Sequence, residues 1–220
     1  MPILLNAVQA RVIGVLMEKS AITPDQYPLS LNALISGCNQ KSSRAPVMAL
    51  SPGEVLHAVR ALQDLHLVQV EENFKTQVEK FKQRLCNTPF GEFQFDEAEY
   101  AVVCILLLRG PRTPGEIRSN SGRLFTFSDN AGVEEVLQRL VQREGASVVA
   151  QLPRRAGRRD AEYVHLLGDE TPDSPSTSQI ALAPVANPPN TLALDDLMIR
   201  VTMLEAQVER LQAEIDVLKR

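Results

Sequence analysis

Four arginines, Arg154, Arg155, Arg158 and Arg159, fall within six residues. A run of side-chain donors, Lys41-Ser42-Ser43-Arg44, follows Asn39 and Gln40. Guanidinium, ammonium and hydroxyl groups at this density suit phosphate oxygens, which take several charge-assisted hydrogen bonds at once. Loops are polar by default, so the bland reading of the 39–44 run is helix capping and solvated charge. A further basic set, Arg109, Arg112, Arg118 and Arg123, lies between the two. Catalysis has less material. His57, His66 and His165 are isolated, Cys38, Cys86 and Cys104 lack metal-ligand spacing, and there is no glycine-rich phosphate loop or nucleophile elbow. The chain therefore reads as a non-enzyme with no catalytic residue, metal or cofactor. Its cysteines read as reduced, and two of them as small core hydrophobes.

The formal net charge of −4 conceals a division. Residues 1–168 carry 19 Lys and Arg against 18 Asp and Glu, whereas 169–220 carry 4 against 9. A near-neutral body gives no bulk attraction for nucleic acid and leaves the matter to local patches. No apolar run reaches the length of a membrane span. The start, Met-Pro-Ile-Leu-Leu-Asn, lacks the charged end and apolar stretch of a cleaved leader. A cytoplasmic protein without a membrane partner is expected.

The elements that must carry these residues repeat. Asn6 with Gln9, and Asp96 with Glu99, are helix-start signals ahead of apolar residues at helical spacing, 90 residues apart. Thr23-Pro24 and Thr113-Pro114 follow at the same offset, each with Gln or Glu three residues after the threonine, and predict a second helix in each copy. Ser51-Pro-Gly-Glu54 opens a third helix with Val55, Val59 and Leu62 inward, matching Val133, Leu137 and Leu140 at an offset of 78. The twelve extra residues of the first copy are expected within Leu29 to Leu50. Extended segments follow each third helix: Val68 to Val70, returning through Val78 to Leu85, and Ser147 to Leu152, returning through Tyr163 to His165. Helix, helix, helix, hairpin is the winged-helix plan. The expected fold is mainly α with small β-hairpins (α+β), with winged-helix domains over 1–92 and 93–168.

The segments Thr23-Pro-Asp-Gln-Tyr-Pro-Leu-Ser-Leu-Asn-Ala-Leu34 and Cys38-Asn-Gln-Lys-Ser42 resemble a motif of the YceH-like family of bacterial proteins. The likeness is specific there and looser over residues 6–166. It implies the tandem winged-helix fold and supplies no catalytic residue.

Residues 169–191, rich in proline with Ser and Thr, read as a disordered linker. Beyond it, Leu194, Leu197, Val201, Leu204, Val208, Leu211, Ile215 and Leu218 alternate spacings of three and four. That is a heptad seam over a helix at 192–220, with β-branched residues at most a positions and Leu at every d, the pattern of a parallel pair. A homodimer is expected; docking onto the chain's own core or onto a foreign helix are the other uses of such a stripe. The function these features predict is DNA binding in transcriptional control. Lys41, Ser42, Ser43, Arg44 and the four wing arginines would contact phosphate, and Arg60 would lie on the reading helix. The alternative is a protein-protein scaffold resembling the winged-helix subunits of chromosome-condensing complexes.

Overall fold

Reciprocal capping sets most of the helix starts. In α1 (Ala7–Ile22) the Asn6 side chain accepts from the Gln9 amide, and the Gln9 side chain accepts from the Asn6 amide, both at 2.9 Å. After it come β1 (Leu29–Ser30), α2 (Leu31–Cys38), α3 (Pro52–Asp64) and the hairpin β2 (Val68–Asn73) and β3 (Val78–Gln83). The series then restarts with α4 (Glu97–Arg109), α5 (Pro114–Ser121), α6 (Asn130–Val141) and a short hairpin, β4 (Val149–Gln151) and β5 (Tyr163–His165). The same box of side-chain and backbone bonds opens α3 at Ser51 and Glu54, α4 at Asp96 and Glu99, and α5 at Thr113 and Glu116.

The computed structural model describes residues 3–73, 78–89, 91–143, 147–154 and 160–168, all within the first of the chain's two units, Met1–Pro175. The expected linker at 169–191 and the seam from Leu194 to Leu218 lie outside the described residues. So do the tip at 74–77 and Arg155, Arg158 and Arg159.

One expected helix start is wrong. Thr23 does not open the second helix: its hydroxyl bonds back to the Lys19 carbonyl at 3.3 Å, and only a 3-10 turn, Pro24–Gln26, follows. Pro28 also biases Tyr27 away from helical backbone. The helix begins seven residues later, where the Ser30 side chain accepts from the Ala33 amide. This changes where the extra residues lie. Helix starts in the two copies are offset by 90 for α1 and α4, 83 for α2 and α5, and 78 for α3 and α6. The excess is therefore split, seven residues before α2 and five between α2 and α3, and is not confined to Leu29–Leu50.

The two sheets share a plan. In the first copy β1 pairs with β3 (Leu29 opposite Phe81), giving the antiparallel order β1-β3-β2. In the second, β4 pairs with β5, and Arg112, directly before the Thr113 cap, forms an antiparallel bridge with Tyr163. Their backbones exchange hydrogen bonds at 3.0 and 2.8 Å. Each copy thus places a short extended segment between its first two helices and lays it against the returning arm of its hairpin.

The copies meet through their first helices. In α1 and α4 apolar residues are buried on every side, Val12 to Met17 in one and Ala101 to Leu108 in the other, as expected of helices inside a core. The Tyr100 hydroxyl reaches the Met17 carbonyl at 2.8 Å, and the Cys104 thiol the Gly14 carbonyl at 3.6 Å. A Cβ on Gly14 would stand 2.9 Å from a Leu108 methyl. The buried apolar side chains of both copies form one cluster, closed at its ends where the Leu5 amide donates to the Leu167 carbonyl at 2.7 Å.

Candidate functional site

The loop between α2 and α3 is tied down before it presents anything. At its ends, the Asn39 side chain donates to the Leu50 carbonyl at 2.8 Å and accepts from the Leu50 amide at 2.7 Å. Beneath it, Arg11 of α1 donates to the Cys38 carbonyl at 3.0 Å and the Pro46 carbonyl at 2.7 Å. On the far side, the Ala45 amide donates to the Leu108 carbonyl, the penultimate residue of α4, at 3.0 Å. A loop of the first copy thus rests on the end of a helix of the second.

Arg44 is a correction to the phosphate set, because it points inward. Its guanidinium forks onto both Glu18 oxygens at 3.0 and 2.6 Å. Nε donates to the Gly37 carbonyl at 3.0 Å, and the remaining donors reach the Ser43 carbonyl at 2.9 Å and the Gln40 side chain at 2.8 Å. Every guanidinium donor is used, and the side chain has no exposed surface. Burial drives the Glu18 carboxyl up, yet the hydrogen bonds and charge of Arg44, helped by Lys19, outweigh it and hold the group below the usual carboxylate range. Lys41, Ser42 and Ser43 do face solvent. They are three exposed donors on a fixed base.

Arg60 is exposed but engaged. It grips both oxygens of Glu79 on β3, at 2.9 and 3.0 Å, and bonds Gln63 at 3.0 Å. The residue 78 places on, Gln138 of α6, lies close enough to the Tyr163 side chain on β5 to lower its pKa against the effect of burial. In both copies the third helix packs against its own hairpin. On the second hairpin Arg154 is exposed, and its charge and that of Glu134 both act on Tyr163. Arg139 of α6 and Arg143, just past its end, reach the start of α4: Arg139 meets Asp96 at 2.8 Å, and Arg143 reaches Glu99 and lies over the Phe95 ring. Glu134 and Glu135 are left exposed on that helix.

Sequence reasoning missed Arg11 and Glu18. Their signal is a cation and an anion seven residues apart, on one face of a helix and bracketing the apolar run Val12 to Met17, where burial without a partner is costly. Of the motif residues, most are structural. The Tyr27 hydroxyl accepts from the Gln83 amide at 2.7 Å, Ser30 caps α2, and Asn39 and Gln40 hold the loop. Burial pushes the Cys38 thiol up to about 11 and Cys86 up to about 12, and raises Cys104 further, so all three are poor nucleophiles. Among the described residues no cluster of His, Cys, Asp and Glu could hold a metal ion, and no helix is long and apolar enough to cross a membrane.

The family model described as "Protein of unknown function, DUF480" matches residues 5–158. The chain belongs to that family. Relatives match along nearly the whole length. The UPF0502 protein VPA1223 of Vibrio parahaemolyticus is 46% identical over 219 residues, covering 100% of this chain and 96% of its own. A UPF0502 protein of Klebsiella pneumoniae (strain 342) is 46% identical over 212 residues, covering 96% and 94%. UPF0502 protein VS_II0353 of Vibrio atlanticus is 43% identical over 212 residues, covering 96% and 97%. These are the YceH-like proteins that the Thr23–Leu34 and Cys38–Ser42 motif resembles. The family match also takes in the loop lock, since Arg11, Glu18 and Arg44 all lie within it.

One member of the hairpin carries a pH dependence. Burial lowers the His165 imidazole to about 4, and its Nδ1 is buried without a hydrogen-bond partner. The unfolded chain takes up this proton near pH 6.5 while the folded chain resists it. Folding stability is expected to fall as pH drops from about 6.5 towards 4. Urea titrations across that range should show the slope flattened in His165→Gln; an identical slope would assign the dependence to other groups.

Proposed function

We propose that this chain is a homodimeric DNA-binding protein of tandem winged-helix type that acts in transcriptional control. Its two winged-helix domains would span 1–92 and 93–168, with the helix at 192–220 pairing two copies beyond the linker. The observation that carries this reading is the repeated order of helix, short extended segment, helix, helix and hairpin, with the third helix packed against its own hairpin in each copy. In such a module the third helix enters the major groove and the hairpin reaches an adjacent groove or the backbone. Lys41, Ser42 and Ser43, beside the exposed start of α3, are the phosphate contacts of the first copy. Arg154 with Arg155, Arg158 and Arg159 are those of the second. Arg60 reads bases only by leaving Glu79, and an exposed pair of that kind is worth about 0–1 kcal/mol, so the exchange is cheap.

Gel-shift titration of the full chain on random-sequence duplex at about 50 and 200 mM salt tests the reading. With six to ten phosphates neutralised by a dimer, affinity should drop by about 10³–10⁵ between the two. A chain with all four wing arginines changed to Glu should show a shallower salt slope. Absence of any retardation at the lower salt would sink the proposal. It would favour the protein-scaffold reading, which the exposed Glu134 and Glu135 and the pairing of Arg139 and Arg143 with Asp96 and Glu99 support.

A further inference from the structure

Where the two copies join, positive charge accumulates around too little negative charge. Arg109 ends α4, Gly110 turns the chain with φ 69°, and Arg112 enters the extended pairing with Tyr163. Both arginines are half-buried, and Arg112 spends one donor on its neighbour, the Pro111 carbonyl, at 2.6 Å. The loop carrying Arg44 lands beside them through Ala45 and Leu108. Burial, then the charges of Arg112 and Arg44, make Arg109 hold its proton less tightly than usual, and among the described residues Glu18 is the carboxylate that opposes them. Glu18 is already held at both oxygens by Arg44. The carbonyl end of α4 offsets part of the charge, about half a unit. What remains is a pair of fork-shaped donors, three residues apart on one turn and half-buried, with no carboxylate bonded to either among the described residues.

We propose that Arg109 and Arg112 form a phosphate-binding site at the junction of the two copies, fitted to a phosphodiester of DNA or to a free phosphate group. Guanidinium groups match phosphate bidentately, and an anion between them relieves their mutual repulsion. The site goes beyond the DNA-binding reading, because it uses neither third helix nor hairpin tip.

Thermal unfolding of the full chain in phosphate and in chloride, at equal ionic strength and pH 7, tests it. Phosphate at ten times its dissociation constant should raise Tm by about 3–6 °C over chloride. In R109Q/R112Q that difference should vanish, while R109K/R112K should keep part of it. An equal phosphate effect in the wild type and the Gln variant overturns the site. Should the Gln variant fail to fold, a phosphate titration of the wild type followed by NMR decides: the Arg109 and Arg112 side-chain NH signals should shift saturably, and unmoved signals overturn the site. Duplex affinity then names the source. A drop in R109Q/R112Q assigns the site to the DNA backbone; unchanged affinity with the phosphate effect intact assigns it to a free phosphate. If no duplex binds at all, the function proposed above fails while the phosphate effect still stands or falls by itself.

Discussion

Replacing Arg44 with Ala should cost the protein about 3–5 kcal/mol, a large part of a typical domain's stability, read as a shift in the urea midpoint of the full chain. The size follows from what the substitution abandons. Glu18 would keep its buried carboxylate with only Lys19, at 3.5 Å, as a partner, and the Gly37 and Ser43 carbonyls and the Gln40 side chain would lose their donor. Glu18→Ala should cost a similar amount for the mirror reason. The double variant should cost clearly less than the two together, because each single change leaves a stranded charge and the pair removes both. Simple additivity would mean that the fork is not coupled. The pH dependence has a fixed sign. Arg44 holds the Glu18 carboxyl below its unfolded value, so this stabilisation is present above about pH 4.5 and is lost as pH falls further. That window lies below the one assigned to His165. Limited proteolysis should cut the 39–50 loop of Arg44→Ala first, since the lost bonds are those that hold it.

Helix starts were legible wherever a capping side chain had no nearer competitor. Asn6, Ser51, Asp96 and Thr113 each have their box, and each opens the helix its spacing predicts. Thr23 carries the same signature and fails, because a hydroxyl at the end of a helix can bond the carbonyl four residues back as readily as cap forward. That one reversal moved α2 by seven residues and misplaced the insertion. Burial of the third-helix residues Val55, Val59, Leu62, Val133, Leu137 and Leu140 followed from periodicity alone. The side-chain directions within the 39–50 loop did not. Lys41, Ser42, Ser43 and Arg44 are consecutive and chemically alike, and no pattern in four polar residues says that the fourth turns under the loop. The clue was remote, in Arg11 and Glu18 on a buried helix, and it names a need for partners without naming them. Arg60 shows the same limit, since its engagement with Glu79 depends on a hairpin register that sequence leaves open.

Removing residues 192–220 should leave a chain that folds but no longer pairs, and should weaken duplex binding by about ten- to a thousandfold. The first half of that expectation rests on the described core: buried apolar side chains of both copies form one cluster, and the Leu5 amide meets the Leu167 carbonyl at 2.7 Å. The second half rests on tethering. In the proposed arrangement two modest heads joined through the 23 residues of 169–191, which as a flexible coil would reach about 25–30 Å, would engage one duplex at an effective concentration far above that of free chains. If 192–220 forms the proposed helix, its four heptads would span only about 40 Å, so pairing would be of moderate strength and should weaken on dilution. Light scattering on the intact and shortened chains at micromolar concentration, beside the duplex titration, separates the possibilities. An intact chain with the mass of a monomer would remove the seam from the mechanism. A dimer surviving the deletion would place the pairing surface on the folded unit, and affinity would then change little. Where the seam does pair the copies, the salt slope per head should stay constant while the midpoint moves, because tethering changes how often the second head lands and not how many phosphates each one holds.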